Sequence, residues 1–342
     1  MELYLDSADV KEIEEAFQLG FLTGLTTTPT FMHRYGITDV DGTIVKLSKI
    51  VPVLQIEALG DTCDEILQEA NRLLDLGLDR EKIVFKTPVS LEGIRACKKL
   101  KNEGMRVNIH LVYTIQQAYM AMAAGADYVC PLVGRLQDEG HDALALIEQC
   151  VAAVDYYGYD TKIMFSSVRH PEHVRNAINL GVHACTVPWK VMKRLTENNF
   201  TLVGIKEFKM HTELMTICVK EIIRDETPAV TINNTVLDAI VQMTESGLGA
   251  VAILDDNKVV GVFTDGDLRR ELQKCSKSAM DKTMSDFIDP DKEPLTISGE
   301  ALLYEAVDIF KEKAVDNIIV VENDKLLGMI DVQDLIKRDL VA

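Results

Sequence analysis

The feature that most constrains this chain is the alternation of eight β-rich runs with amphipathic helical stretches over its first part. Several of the helical stretches end in a glycine, such as Gly77 or Gly125, which is typical of a helix C-terminus. The pattern predicts an α/β fold, a closed (β/α)8 TIM barrel. A doubly wound open sheet is the competing architecture, but no G-x-G-x-x-G follows the first run, which disfavours its dinucleotide-binding version. The predicted strands are 2–6, 24–28, 53–58, 82–87, 106–111, 128–133, 162–167 and 184–187.

The alternation of predicted strands and helices ends with a further predicted helix over 200–215, and a different pattern follows. Residues 231–268 are echoed by residues 296–335, with the shared order T-I, helix, β-run, acidic turn, apolar pair with glycine, and D-L. This echo predicts an internal duplication of β-α-β-β-α units. We therefore expect two domains, a barrel over 1–216 and a tandem α+β module over 217–342, with repeats at about 217–275 and 284–342.

Charge and cysteine content exclude several classes of protein. Lys and Arg number 36 against 54 Asp and Glu, so the formal net charge is −18, which disfavours binding to nucleic acid. The seven cysteines form no C-x-x-C motif, which favours reduced thiols over disulfides or a zinc site. The N-terminus lacks the pattern of a signal peptide, and no apolar run is long enough to span a membrane. We expect a cytoplasmic protein without a membrane partner.

Candidate catalytic residues lie where predicted strands end, because the C-terminal ends of barrel strands carry the active site. Lys86 ends the apolar run IVFK, and burial would lower its pKa and free its amine to attack a carbonyl. Asp6 and Glu57 end other strands and provide the carboxylates that Schiff-base chemistry needs for proton transfer. The structural alternatives are a lysine that reaches to the rim and carboxylates that cap helices.

Candidate phosphate-binding residues follow the sixth and seventh strands. Arg135, Ser167 and Arg169 offer charge-assisted hydrogen bonds to a phosphate. Each arginine alone is equally compatible with a surface ion pair.

Seven segments of the barrel part follow one another in the order and spacing of one known family. They are MELYLD, GLTTTPT, LQIEA, KIVFKTPVS, RVNIHLVY, AGADYVCPLVGR and SSVRHPEHV. In these segments residues 1–215 resemble the small-subunit transaldolase and fructose-6-phosphate aldolase family. The resemblance implies a class I aldolase barrel that uses a lysine Schiff base and needs no metal or other cofactor.

The resemblance also implies a role for each candidate. It implies that Lys86 forms the Schiff base, that Asp6 is an acid/base group and that Glu57 activates water. It implies that Asn108 contacts the donor substrate. Phosphate binding is implied for Arg135, Ser167 and Arg169. Glu57, where the aldolase branch has Gln, favours the transaldolase branch.

The donor pocket departs from the family pattern. Thr28 stands where the family has Asn, His110 where it has Thr, Cys130 where it has Ser or Ala, and Leu132 where it has Phe or Tyr. The family's residues at 28 and 130 contact donor hydroxyls, so we expect Thr28 and Cys130 to bind substrate in an altered way. His110 either relays protons beside Glu57 or packs as a core histidine.

The duplicated module resembles a pair of cystathionine-β-synthase (CBS) domains. GVFTDGDLRR carries the family's hydroxyl-x-x-Asp motif as Thr264 and Asp267, which implies contacts to the phosphate and ribose of a nucleotide. In the second repeat Asp331 replaces the hydroxyl before Asp334, and a carboxylate there repels phosphate. The resemblance implies an adenine nucleotide or nucleotide-sugar effector. A module that only dimerises is the alternative.

The leading hypothesis is a Schiff-base transaldolase- or aldolase-like enzyme, a transferase or lyase, that acts on a sugar phosphate under control of its CBS pair. A Schiff-base dehydratase or isomerase of a modified sugar phosphate is an alternative, as is a non-catalytic phosphosugar and nucleotide sensor. The family resemblance implies a homo-oligomer, a pentamer or decamer, to which the helix over 200–215 contributes apolar side chains.

Overall fold

The computed structural model describes residues 1–224 and 227–341. These residues form two compact units, which divide between residues 197 and 198. Each unit has its own apolar core.

The first unit is a closed barrel of eight parallel strands in sequence order. The strands are β1 (Glu2–Asp6), β2 (Gly24–Thr26), β3 (Leu54–Glu57), β4 (Ile83–Pro88), β5 (Arg106–Val112), β6 (Tyr128–Pro131), β7 (Lys162–Phe165) and β8 (Ala184–Val187). The helices around them are α1 (Val10–Phe17), α2 (Pro29–Arg34), α3 (Val40–Ile50), α4 (Cys63–Asp75), α5 (Leu91–Asn102), α6 (Ile115–Ala124), α7 (Val133–Asp138), α8 (Ala143–Tyr157), α9 (Pro171–Asn179) and α10 (Trp189–Met192), followed by a 3₁₀ helix (Lys193–Thr196).

Local sequence signals account for the ends of these helices. Thr62 begins α4 with a capping box, in which its hydroxyl and the Glu65 carboxylate exchange hydrogen bonds with backbone N–H groups. Gly125 ends α6 at φ 86°, a left-handed conformation that glycine adopts without steric cost. The TIM barrel expected from the sequence is thus confirmed.

Alternate strand residues point into the barrel, because successive side chains of a strand face opposite sides. The lower layers of the lumen are filled by Tyr4, Val84, Tyr128 and Met164, which pack on one another. The outward residues of the same strands pack against the surrounding helices in the main core. Polar side chains lie above this layer, at the C-terminal ends of the strands, and also below it, where the Tyr128 hydroxyl donates to Glu2 at 2.9 Å.

The second unit contains a six-stranded sheet in the order β12-β13-β14-β11-β10-β9. Its strands are β9 (Ala229–Thr231), β10 (Ala250–Asp255), β11 (Lys258–Thr264), β12 (Thr296–Ser298), β13 (Asn317–Glu322) and β14 (Lys325–Asp331). Its helices are α11 (Asn199–Thr216), α12 (Val236–Ser246), α13 (Asp265–Cys275), α14 (Leu303–Lys313) and α15 (Val332–Lys337), with 3₁₀ helices at Val219–Glu221, Ser276–Asp281 and Met284–Phe287. Each repeat has the predicted β-α-β-β-α order, and β11 meets β14 at Lys258 and Lys325.

Helix α11 belongs to the second unit. Its residues Met210 and Leu214 join the apolar cluster that contains Phe310 of α14. The compact units therefore divide at 197/198, whereas the sequence analysis places the domain boundary at 216/217. The apolar side chains near the start of α11 face solvent: Phe200 is 86% exposed and Phe208 is 73% exposed.

Among the helices of the described residues, none is both long and apolar enough to cross a membrane. All seven cysteines are free thiols, and Cys63, Cys97, Cys130, Cys150 and Cys185 are buried.

Candidate active site

A cavity of about 810 Å³ opens at the C-terminal ends of the barrel strands. All ten barrel residues singled out in the sequence line it: Asp6, Thr28, Glu57, Lys86, Asn108, His110, Cys130, Arg135, Ser167 and Arg169. They come from seven of the eight strands or from the segments that follow them, so the closure of the barrel brings them together.

Lys86 lies near the end of β4 and is only 5% exposed. Its Nζ is 2.9 Å from Glu57 Oε1 on the neighbouring strand β3 and donates to the carbonyl of Thr27 at 3.2 Å. Burial lowers the pKa of this amine, but the attraction of Glu57 outweighs it, so the pKa is raised. The sequence predicts a lowered pKa for Lys86, and this net direction is wrong for the free protein, because the attraction of Glu57 exceeds the effect of burial.

Glu57 contacts two basic side chains at once, Lys86 and His110. Its Oε2 lies 2.8 Å from His110 Nε2, while its Oε1 contacts Lys86. Burial alone would raise the pKa of Glu57, but Lys86 and His110 lower it to about 2. Burial lowers the pKa of His110, and Glu57 only partly opposes this shift. The carboxylate is thus permanently charged near neutral pH, and His110 is a neutral imidazole beside it.

His110 faces the lumen by regular strand alternation with Asn108, and a backbone irregularity follows it. Leu111 adopts φ 58°, and the pairing of β5 with β6 shifts register between His110 and Val112. This bulge lets the chain leave the strand while His110 stays opposite Cys130. His110 and Glu57 therefore meet two strands apart, which the sequence alone leaves open.

Asp6 lies on the other side of the cavity from His110, at the end of β1. Its Oδ1 accepts a hydrogen bond from Thr26 Oγ1 at 2.9 Å, and Thr26 also contacts Thr186 Oγ1 at 2.5 Å. Burial raises the pKa of Asp6 to about 6, although Lys86 and Thr26 oppose the shift. Asp6 is therefore poised to exchange a proton near neutral pH.

Asn108 forms a buried polar pair with Gln55, a residue that was not predicted from the sequence. Asn108 is fully buried, and its Nδ2 donates to Gln55 Oε1 at 2.6 Å. Its Oδ1 has no hydrogen-bond partner among the described residues. The signal for Gln55 was present in LQIEA, because Gln55 precedes Glu57 by two residues and so faces the same lumen.

The two altered donor-pocket residues are both engaged with the protein. Thr28 is the N-cap of α2, and its Oγ1 accepts a hydrogen bond from the Phe31 N–H at 3.3 Å. Cys130 is buried on β6, and burial raises the pKa of its thiol to about 11, although a hydrogen bond with Ser166 opposes the shift. With its pKa raised, the thiol stays protonated near neutral pH, so Cys130 is a small uncharged side chain of the pocket rather than a nucleophile.

Arg135 and Arg169 lie side by side at the rim, after β6 and β7. Arg135 Nη1 donates to the Tyr113 hydroxyl at 2.8 Å, and Arg169 Nη2 pairs with Asp138 at 2.8 Å. Ser167 adopts φ 59°. Its carbonyl oxygen packs against Gly134, and a Cβ added to Gly134 would lie 1.9 Å from that oxygen. Both arginines are exposed, so each can reach a ligand at the cavity mouth.

The second unit places its three candidate residues at two helix starts. Thr264 Oγ1 donates to Asp267 Oδ2 at 2.6 Å, and Arg270 contacts the other oxygen of Asp267 at 2.6 Å. Asp334 accepts two hydrogen bonds of 2.9 Å from the guanidinium of Arg224, which the sequence analysis did not single out. The two repeats therefore differ: Arg224 binds both carboxylate oxygens of Asp334, whereas Arg270 binds one oxygen of Asp267.

Comparison with known families assigns both parts of the chain. The family model described as transaldolase/fructose-6-phosphate aldolase matches residues 3–233. The chain belongs to the transaldolase/fructose-6-phosphate aldolase family. The CBS domain model matches residues 219–274 and 284–340, so the chain is an enzyme of this family that carries a pair of CBS domains.

Curated relatives of this family cover the barrel. A protein named "Probable transaldolase" from Thermoanaerobacter sp. (strain X514) is 39% identical over 210 residues, which are 61% of this chain and 95% of that protein. "Probable transaldolase 2" from Bacillus anthracis is 35% identical over 213 residues, which are 61% of this chain and 96% of that protein. Both relatives are similar to the barrel part of this chain.

Solved structures with similarity to the chain include CBS proteins. A CBS domain protein from Pyrobaculum aerophilum complexed with AMP has a TM-score of 0.32 and 16% identity, and covers 36% of this chain and 98% of that one. An uncharacterized conserved protein from Pyrococcus horikoshii has a TM-score of 0.33 and 22% identity, and covers 37% of this chain and 96% of that one.

Proposed function

We propose that the barrel is a class I enzyme that cleaves or transfers part of a sugar phosphate through a Schiff base on Lys86. The observation that carries the proposal is a buried lysine whose amine contacts Glu57 at 2.9 Å inside a cavity that also contains Asp6 and His110. Burial of a charged amine costs free energy. A protein that only binds a phosphosugar would not need this amine, so the buried lysine favours an enzyme over a non-catalytic sensor.

Schiff-base formation first requires that Lys86 lose a proton. Asp6, with a pKa of about 6, is a better acceptor for that proton than Glu57, with a pKa of about 2. The neutral Nζ then forms a bond to the carbonyl carbon. The carbonyl oxygen takes two protons, one from Nζ and one from the protonated Asp6, and leaves as water. The iminium that results keeps its positive charge beside the Glu57 carboxylate.

Carbon–carbon cleavage uses the same groups. A base removes the proton of the hydroxyl on the carbon that becomes the aldehyde, and the bonding electrons move to the iminium to give an enamine. Asp6 is placed to be that base, while Glu57 and His110 hold and move the proton of the water that later hydrolyses the imine. Arg135, Ser167 and Arg169 bind the phosphate, for which Arg169 exchanges part of its contact with Asp138.

A dehydratase or isomerase that keeps the Schiff base is the second candidate. The contact between His110 and Glu57 favours it, because it adds a second proton-transfer group on one side of the substrate. In addition, the hydroxyl oxygen of Thr28 accepts the hydrogen bond that caps α2, so it is engaged with the protein rather than with a donor substrate. Product analysis separates the two reactions, since only cleavage or transfer releases a shorter aldehyde.

Reductive trapping tests the Schiff base directly. The protein is incubated with a pool of ketose phosphates and borohydride, and the modified lysine is located by peptide mass spectrometry. We expect an adduct on Lys86 and none in Lys86→Met, whereas Lys82→Met, a change just before the start of β4, retains it. An adduct on Lys190, which also lines the cavity, or turnover by Lys86→Met contradicts the proposal.

We propose in addition that the CBS pair binds an adenine nucleotide or a nucleotide sugar at its first repeat. There Thr264 and Asp267 lie three residues apart at the start of α13 and offer a hydroxyl and a carboxylate. The cleft of the second repeat is less suited, because Arg224 holds both oxygens of Asp334 and Asp331 adds a further negative charge.

A further inference from the structure

A series of buried polar side chains extends through the lumen of the barrel, from the N-terminal ends of the strands to the cavity. At the N-terminal end, the Tyr128 hydroxyl donates to Glu2 at 2.9 Å. The Tyr4 hydroxyl lies 2.9 Å from the Tyr128 hydroxyl. At the cavity end, Asn108 Nδ2 donates to Gln55 Oε1 at 2.6 Å. The side chains of Tyr4, Gln55 and Asn108 are fully buried.

The carboxylate of Glu2 sets the direction of these hydrogen bonds, because a carboxylate only accepts. Tyr128 donates its proton to Glu2, so its oxygen is left to accept the proton of Tyr4. Tyr4 therefore presents a lone pair to its next neighbour, Gln55. Burial raises the pKa of Tyr4, and Gln55 is among the groups that oppose the rise, as a donor beside the Tyr4 oxygen does. Gln55 thus directs Nε2 toward Tyr4 and Oε1 toward Asn108.

The opposite orientation of the two amides is disfavoured. If Gln55 donated to Asn108, its Oε1 would face the Tyr4 oxygen, and two acceptors would meet in a buried place without a proton between them. Asn108 Nδ2 also lies 3.6 Å from Met164 Sδ, so both hydrogen atoms of this amide are directed at the protein. Asn108 Oδ1 is buried and has no hydrogen-bond partner among the described residues, and Asn108 lines the cavity. The amide of Asn108 is therefore held with a free acceptor.

This free acceptor lies next to the strand that carries the reactive lysine. Asn108 is the register partner of Lys86, and neighbouring strands are about 4.8 Å apart. Both residues line the cavity, so both side chains face the lumen. A carbonyl compound joined to Lys86 Nζ therefore has the carbons that flank its carbonyl carbon within reach of Asn108. A buried acceptor without a partner costs free energy, which a hydroxyl group of a ligand recovers.

We propose that Gln55 is a positioning residue that holds Asn108 as an acceptor, so that the substrate must donate a hydrogen bond to Asn108 Oδ1. The inference deepens the proposed function and rests on it for the place of the carbonyl carbon. The chemical class is a ketose phosphate with a free hydroxyl group on a carbon bonded to the carbonyl carbon. A sugar that is deoxygenated at that carbon leaves Asn108 Oδ1 unpaired and binds more weakly.

Hydrogen exchange of the Asn108 side-chain amide tests the positioning without a ligand. The asparagine side chains are isotopically labelled for NMR, and the Asn108 signal is assigned by its loss in Asn108→Asp. We expect this amide to exchange with D₂O more slowly than those of exposed asparagines. Gln55→Met should accelerate the exchange about fivefold, because it removes the acceptor of Nδ2. Gln55→Glu keeps an acceptor and should retain slow exchange, as should Gln68→Met, the same change at an exposed position of α4.

Binding without turnover tests the demand for a hydroxyl group. Isothermal titration calorimetry with Lys86→Met compares fructose 6-phosphate with its 1-deoxy and 3-deoxy derivatives. We expect one derivative to bind about fivefold more weakly, equivalent to about 1 kcal/mol for one hydrogen bond. Gln55→Met, added to Lys86→Met, should reduce this difference to less than about twofold, whereas Gln55→Glu should keep it. If Lys86→Met does not fold, the unmodified protein is titrated with glucitol 6-phosphate and its 1-deoxy and 3-deoxy derivatives, since a polyol cannot form an imine.

The two proposals can fail separately. Fast exchange of Asn108 in the unmodified protein, or an exchange rate that Gln55→Met leaves unchanged, overturns the role of Gln55. Equal affinities for the three ligands, or a difference that persists in Gln55→Met, overturn the demand for a hydroxyl group. If no adduct forms on Lys86, or none of the three ligands binds, the proposed function is wrong, while the exchange measurement still decides how Asn108 is held.

Discussion

At the scale of single residues, the cavity contains two carboxylates whose environments drive their pKa values apart. Asp6 has no cation in direct contact, so burial dominates and raises its pKa to about 6. Glu57 contacts Lys86 and His110, so its pKa falls to about 2 despite its burial. Two carboxyl groups with such different pKa values can have different roles: Asp6 can accept a proton, and Glu57 stays charged as a counterion.

The titration of Asp6 predicts the acid limb of the pH profile. Below about pH 6 Asp6 is protonated and cannot accept the proton of Lys86, so kcat/KM should fall as the pH is lowered through this value. Asp6→Asn should reduce kcat by about 100-fold or more. Measurements of kcat/KM across pH 4.5 to 8 check both expectations.

Two control variants identify the group that titrates. Asp61→Asn, an exposed residue outside the cavity, should leave the profile unchanged, and His110→Gln should keep the acid limb even if the rate falls. An acid limb that persists in Asp6→Asn, or that disappears in His110→Gln, contradicts the role of Asp6.

At the scale of secondary-structure elements, the site depends on tight contacts between successive strand ends. Gly134 in α7 packs against the carbonyl of Ser167, which follows β7. Only a residue without a Cβ fits there, and Ser167 itself is held in the left-handed region at φ 59°. The contact positions Arg135 next to Arg169.

Gly134→Ala should therefore weaken phosphate binding and lower the stability of the barrel. The added Cβ would lie 1.9 Å from the Ser167 oxygen, so the backbone must shift, at a cost of roughly 1–3 kcal/mol. Urea denaturation and the KM for a phosphorylated substrate measure the two effects. The matched control is Gly204→Ala in α11, where no atom lies within 4 Å of the new Cβ and no destabilisation is expected. Equal behaviour of the two variants would show that the Gly134 contact is unimportant.

At the scale of the whole molecule, the CBS pair is asymmetric, and the asymmetry predicts unequal binding by the two repeats. Asp267→Ala should weaken the affinity for a nucleotide by about tenfold or more, because a carboxylate contributes charge-assisted hydrogen bonds to ribose. Asp334→Ala should have a smaller effect, because Arg224 already occupies Asp334. Calorimetry with AMP, ATP, CMP and nucleotide sugars measures both; no binding to the unmodified protein, or equal effects of the two variants, contradicts the assignment.

The exposed apolar side chains of α11 predict self-association. Phe200, Leu202, Val203, Ile205 and Phe208 are all more than half exposed, and the burial of such a stripe against another copy is favourable. Light scattering should give a mass several times 38.1 kDa. Phe208→Glu should lower that mass, whereas Leu237→Glu, an equally apolar exposed position on α12, should not. A monomer at micromolar concentration contradicts the prediction.

The sequence by itself determined the order of the elements and the set of residues in the cavity. Hydrophobic periodicity and helix caps are local signals, so they predict strands and helices without knowledge of their partners. Strand ends meet at one face of a closed barrel, so Lys86, Asp6 and Arg135 could be assigned to one cavity from their positions alone. The duplication likewise predicted the two repeats of the second unit.

Only the tertiary structure decided the electrostatic state of the site and the partners within it. The pKa of Lys86 rises rather than falls because Glu57 lies 2.9 Å away, and Coulomb energy depends on that distance and not on separation along the chain. The contact of His110 with Glu57 joins two strands that are not neighbours, and the contact of Arg224 with Asp334 joins residues 110 positions apart. Such contacts arise when barrel and sheet close, so no local pattern in the sequence encodes them.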